Sequence, residues 1–182
     1  MYEPNDGLVQ QSQQGDLAAF ETLIREHQRM IHSLTFRMTG SMDGAEDLAQ
    51  ETFVRAFRSI GSYRRDCKFS TWLYRIAINV CLTWRERESL RAETNRNWSE
   101  NQAIETEAEH SDRCAQLNAS VHAALLKLPP KQRAAIMLTM YDGMNHDEAA
   151  QVLNCSETTV SWRVFTAKRK LKHLLSLTGE RE

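Results

Sequence analysis

The chain has 182 residues, 41% of them hydrophobic, with only 7 Gly and 3 Pro and a formal net charge of −1. That is apolar material for one ordinary domain or two small ones, which excludes wholesale disorder, and the scarcity of Gly and Pro disfavours a turn-rich β architecture. No uninterrupted apolar run approaches the roughly 18 residues of a membrane span, and the N-terminus has no basic start followed by an apolar stretch, so a cytoplasmic location is expected.

The first predicted helix runs from Asp16 to Met38. Asp16 is a good N-cap, and Leu17, Phe20, Ile24, His27, Ile31, Leu34 and Met38 recur every three or four residues as one stripe. Gly40 ends it. A second helix is expected from Asp43-Gly-Ala-Glu46, which has capping-box spacing, through Leu48, Thr52, Phe53, Ala56, Phe57 and Ile60. On it Asp47, Gln50 and Glu51 share one polar face. Residues 1–54 carry nine acids and three bases, a net of −6.

The charge then inverts. Residues 55–91 carry nine bases and three acids, a net of +6. They include the loop Gly61-Ser-Tyr-Arg-Arg-Asp-Cys-Lys-Phe69, after which Ser70 is placed to cap a third helix reaching about Arg91. Trp72, Leu73, Ile76, Ala77, Val80 and Trp84 give that helix a broad apolar face, so residues 8–92 form one helical domain. Arg64, Arg65, Lys68 and Arg75 are candidate phosphate contacts. Ser70, Thr71 and Asn79 are candidate contacts to base edges, and Tyr63, Trp72 or Tyr74 could stack on bases, although Trp72 competes as a core residue.

Residues 93–111 are polar and acidic without a strong apolar period, and read as a flexible linker. A second domain, 112–176, opens with a helix bearing Leu117, Val121, Ala124, Leu125 and Leu128 that stops at Pro129-Pro130. Pro130 suits the first turn of the next helix, Lys131 to Tyr141. Asn145-His-Asp-Glu148 has capping-box spacing for a short helix to Leu153. Asn154 tolerates a left-handed turn, and Ser156 caps the last helix, Glu157–Leu175. These two helices have helix-turn-helix proportions, with the small residues Ala149 and Ala150 where the pair must approach. From 161 to 173 there are five Lys/Arg and no acid. The candidate DNA readers are Ser156, Thr158, Thr159, Ser161, Trp162, Arg163, Phe165, Thr166 and Arg169, on a helix that a major groove admits.

At these residues the chain resembles a known family. Ala45-Glu-Asp-Leu-Ala-Gln-Glu-Thr-Phe-Val-Arg-Ala-Phe57 is similar to the core-polymerase-binding segment of bacterial extracytoplasmic-function (ECF) sigma factors, group IV of the sigma-70 family. Phe69-Ser-Thr-Trp-Leu-Tyr-Arg-Ile-Ala-Ile-Asn-Val80 resembles their promoter-melting, −10-reading helix. Leu128-Pro-Pro-Lys-Gln-Arg133 and the helix-turn-helix resemble their −35-reading domain. The resemblance implies an all-α fold of two small domains, sigma regions 2 and 4, with no catalytic activity and no cofactor. It implies a monomer that binds core RNA polymerase, through the clamp of the largest subunit and the flap of the second-largest. It assigns core binding to Asp47, Leu48, Gln50, Glu51, Phe53 and Val54, and −10 recognition to Tyr63, Arg64, Arg65, Lys68, Ser70, Thr71, Arg75 and Asn79. It further implies an anti-sigma partner, which can hold such a protein at the membrane. At Thr158, Ser161, Trp162 and Thr166 the last helix departs from the family's usual pattern. The twenty-one residues 93–113 reach about 70 Å, against about 58 Å for promoter elements 17 base pairs apart at roughly 3.4 Å per step.

Two other readings compete. A stand-alone helix-turn-helix regulator explains residues 112–176 but not the basic loop and third helix. A metal or redox sensor would use His27, His32 and the cysteines Cys67, Cys81, Cys114 and Cys155. These cysteines form no CxxC pair, and the two histidines are five apart, a poor spacing for one helical site.

Overall fold

The computed structural model describes residues 5–96 and 113–179, with side-chain surroundings for 5–91 and 118–176. It is helical throughout those residues, with no strand among them. The helices are α1 (Asp6–Gln13), α2 (Leu17–Thr39), α3 (Met42–Ser59), α4 (Phe69–Arg96), α5 (Arg113–Leu126), α6 (Pro130–Ile136), α7 (His146–Leu153) and α8 (Glu157–Gly179). A single 3-10 turn, Ile60–Ser62, precedes the basic loop, and α6 runs into a wider π turn at Met137–Tyr141.

Local chemistry sets most boundaries. The Asp16 carboxylate accepts from the Ala18 and Ala19 amides, and Gly40 closes α2 in the left-handed region at φ +83°. Asn145 and Glu148 form a reciprocal capping box on α7, and Asn154 ends it at φ 47°. Ser156 accepts from the Thr159 amide at the start of α8. Two expected caps are elsewhere. Ser41, not Asp43, caps α3 through the Gly44 amide. The third long helix begins at Phe69, its first turn closed by the Trp72 amide on the Lys68 carbonyl, so Ser70 lies inside the turn. It also runs on to Arg96, so the first residues expected in the linker are helical, and most of that linker lies outside the described residues.

Helix α1 has no counterpart in the sequence reading. It is only 8 residues long, too short to show a stripe. Its Val9 is buried, and the Gln13 side-chain amide donates to the Ile60 and Tyr63 carbonyls at 3.0 and 2.8 Å, tying α1 to the basic loop.

In the first half, Leu23, Ile31, Leu34 and Met38 of α2 meet Leu48, Ala49 and Ala56 of α3 and Phe69, Leu73, Ala77 and Ile78 of α4. In the second half, Leu125, Leu128, Ala134–Leu138, Ala149, Val152, Val160, Val164 and Ala167 are buried. The two sets join in one continuous apolar cluster. At the junction Phe36 stacks on His122 with centroids 4.8 Å apart. A Cβ on Gly40 would lie 2.5 Å from Leu126 Cδ1, so a larger residue there would displace the Leu126 side chain as well as strain the left-handed turn.

Arg133, in the Leu-Pro-Pro-Lys-Gln-Arg segment, is fully buried without a carboxylate partner among its bonds. Its guanidinium donates to the carbonyls of Leu125, Leu126 and Leu128, where α5 ends, and to Met38 of α2 at 2.6 Å. The side chain therefore caps one helix and bridges both halves. Burial lowers its pKa to about 10, which leaves it charged at neutral pH.

Candidate functional site

Three surfaces hold the predicted site residues. The first is α3. Asp47, Gln50, Glu51 and Val54 are exposed and follow helical spacing along one face, with Phe53 half-buried beside them. Glu51 pairs with Arg55 at 2.6 Å. Leu48 is a core residue at 7% exposure, which puts its side chain beneath this surface rather than on it. Beside the acids runs a groove of about 580 Å³ lined by Leu17, Phe20, Ile24, Phe53, Val54 and Phe57, with Glu21 and Arg58 at its edge. Phe20 and Phe57 meet edge to face at 5.1 Å across it. The N-terminal half of the α2 stripe thus lines an open groove, with Phe20 also packed against the core and Leu17 65% exposed. Leu17, Phe20, Ile24 and Phe57 are residues that sequence reasoning assigned to packing. Periodicity alone carries no signal that separates a stripe facing a core from one facing a groove.

The second surface is the basic loop and α4. Arg64, Arg65, Lys68 and Asn79 are exposed, and Ser70 and Arg75 are half-buried. Arg65 adopts φ 60°, a left-handed conformation, and donates to the Gln13 side chain at 3.3 Å. Tyr63 and Thr71 are buried at 6% each. Tyr63 donates its hydroxyl to the Cys67 carbonyl and packs against Phe69 and Trp72, so it braces the loop from inside. The helix-turn-helix covers part of this surface: Arg75 Nε donates to the Gln151 carbonyl of α7 at 3.1 Å, and Lys68 Nζ lies 3.9 Å from Glu148. Nearby, Asp142 accepts from the Tyr74 hydroxyl and sits 3.9 Å from Arg37, with burial raising its pKa.

The third surface is α8. Val160, Val164 and Ala167 face the core, while Ser156, Thr158, Ser161, Trp162, Phe165 and Arg169 are exposed and Thr159, Arg163 and Thr166 half-buried. Ser161 shares a hydrogen bond with His146 Nδ1 at 2.8 Å, and Arg163 reaches the Cys155 sulfur at 3.5 Å. His146 was absent from the sequence-predicted set, because only the folded turn brings α7's first residue to α8.

The family model of sigma-70 region 2 matches residues 23–91, and that of sigma-70 region 4 matches 118–171. The RNA polymerase sigma-H factor of Pseudomonas aeruginosa is 33% identical over 95% of this chain and 94% of its own length. The chain belongs to the ECF group of sigma-70 factors. The ECF sigma factor SigW of Bacillus subtilis is 31% identical over 92% of this chain and 94% of its own. Among solved structures, CnrH bound to the cytosolic domain of CnrY matches with a TM-score of 0.69 and 28% identity, over 96% of this chain and 99% of that one. A stand-alone regulator accounts for α7 and α8 but not for the region 2 match, and is not favoured.

Among the described residues no helix is long and apolar enough to cross a membrane, and no group of three His, Cys, Asp or Glu could hold a metal ion. Cys81 is buried, which pushes its thiol up to about 12, and Cys67 and Cys155 are half-buried. A thiol so raised carries almost no thiolate at neutral pH.

Proposed function

We propose that this ECF sigma factor binds core RNA polymerase through α3, reads and opens the −10 element with the basic loop and α4, and reads the −35 element with α8. The observation that carries this is the order of the three surfaces on two helical units that match regions 2 and 4. Asp47, Gln50 and Glu51 supply acids and amides for a basic clamp, and the groove from Leu17 to Phe57 adds apolar contact beside them. Arg64, Arg65, Lys68 and Arg75 position the strand through phosphates, and Ser70 and Asn79 reach bases. Sigma region 2 then corresponds to residues 8–92 and region 4 to 112–176.

The chain acts as a specificity factor without chemistry of its own, in the cytoplasm. An anti-sigma protein is the expected regulator, by analogy with the sigma factor RpoE of Bartonella quintana, solved in complex with the anti-sigma factor NepR. In the arrangement seen here α7 holds Arg75 through the Gln151 carbonyl and puts Glu148 3.9 Å from the exposed Lys68. The two readers therefore cannot span elements about 58 Å apart, and promoter binding requires α5–α8 to leave α1–α4. Sixteen residues, 97–112, separate the described ends of α4 and α5, and a segment of that length extends to about 55 Å.

The test is a core-binding assay. The full chain at micromolar concentration is expected to comigrate with purified core polymerase in a native gel. Absence of any complex at that concentration overturns the assignment.

A further inference from the structure

Trp162 and Phe165 stand out on α8 because they are 61% and 66% exposed, whereas Val160 and Val164 of the same helix are buried. They are three residues apart, so they sit together on one face, about 4.5 Å apart along the axis. Their neighbours leave few polar readers. The Ser161 hydroxyl is engaged by His146, Thr159 by Ser156, and Arg163 by Cys155. Toward the C-terminal half lie Lys168, Arg169, Lys170 and Lys172, and Glu157 is the only acid in α8. An apolar pair beside so much positive charge fits duplex DNA, with phosphates met by the cations and the groove floor met by the rings.

Only one base presents an apolar group on the major-groove floor, namely thymine through its C5-methyl. We infer that Trp162 and Phe165 read the methyl groups of two thymines on adjacent base pairs of the −35 element. An axial offset of about 4.5 Å against a base-pair rise of roughly 3.4 Å places the two rings over neighbouring steps. This inference rests on α8 being the −35 reader. It adds that the departure at Trp162 supplies a methyl contact.

The test uses holoenzyme assembled from the full chain and core polymerase. Duplexes randomised across the upstream element are selected for binding, and each enriched thymine is then replaced by uracil, which removes the methyl group alone. A uracil at either of two adjacent positions is expected to weaken binding about fourfold, the value of one buried methyl-sized group. Trp162→Ala is expected to abolish the penalty at one position and Phe165→Ala at its neighbour, while phosphate contacts keep binding measurable. The inference is overturned if the enriched element lacks paired thymines, if uracil binds as well as thymine, or if both variants retain the uracil penalties. Enrichment of no sequence beyond core polymerase alone instead refutes the sigma-factor reading on which it rests.

Discussion

Replacing Arg133 by Ala tests the most unusual feature of the fold. Four backbone carbonyls lose a charged donor: Leu125, Leu126 and Leu128 at the end of α5, and Met38 on α2. At about 1 kcal/mol net for each bond the loss is about 4 kcal/mol, within the 3–5 kcal/mol typical of emptying one side of a buried charged site. Domains of this size have about 5–15 kcal/mol in total, so the change is a large fraction of stability. A shift of about 2–4 °C per kcal/mol translates it into a Tm lower by roughly 8–16 °C. Arg133→Lys keeps the charge but offers its donors from a single point, which cannot serve four separated carbonyls, so it should fall between. Thermal unfolding followed by circular dichroism, with a urea titration as a second measure, reads both variants. If Arg133→Ala unfolds within about 1 kcal/mol of the parent, the guanidinium is not what holds the end of α5 to α2.

Further outcomes follow from the other surfaces. The double variant Asp47→Ala, Glu51→Ala should weaken core binding by about 2 kcal/mol, roughly thirtyfold, in a competition assay, while −35 duplex binding by α5–α8 is unchanged; equal loss of both would contradict the division of labour. His122 stacks on Phe36 with its Nε2 buried and unpartnered, and burial lowers its pKa from the ordinary 6.5, with a smaller contribution from the nearby Arg133 and Arg37 charges. The neutral ring is the form that fits, so its contribution is at full strength above pH 6.5 and is lost as pH falls through the lowered value. His122→Phe should therefore flatten the acid-side fall of Tm, and an unchanged slope would reject this role for the ring.

Much of the chain was legible because the deciding chemistry is local. The capping box at Asn145 and Glu148, the left-handed Asn154 and the cap at Ser156 each involve residues within one turn of each other, and the structure places all three as their spacing required. The Pro130 start of α6 was legible for the same reason. What depended on tertiary contact was not. Arg133 sits in a polar-looking segment, and nothing local signals that α2 and α5 close over it. Leu17 and Phe20 share the periodicity of Ile31 and Leu34, but α3 turns its own Phe53 and Phe57 toward them and leaves a groove. Tyr63 and Thr71 have types suited to bases, yet the loop folds Tyr63 inward and α4 turns Thr71 inward. His146 meets Ser161 only after the turn at Asn154 reverses the chain.

The same geometry explains why the basic surface cannot be judged from charge alone. Arg75 and Lys68 are candidate phosphate contacts, and here Arg75 donates to the Gln151 carbonyl while Lys68 stays exposed near Glu148. The Lys68–Glu148 separation of 3.9 Å, with both side chains part-exposed, makes that pair a weak one. The buried Met38–Arg133 bond and the half-buried Phe36–His122 stack contribute more to holding the halves together.

The central claim is that this chain directs RNA polymerase to a promoter. Run-off transcription measures it directly, with purified core polymerase, the full chain and a library of genomic fragments from the source bacterium as template. The account predicts discrete transcripts that require both components and disappear with the Asp47→Ala, Glu51→Ala variant. Transcription no different from core polymerase alone, together with tight binding of DNA by the chain without polymerase, would contradict it.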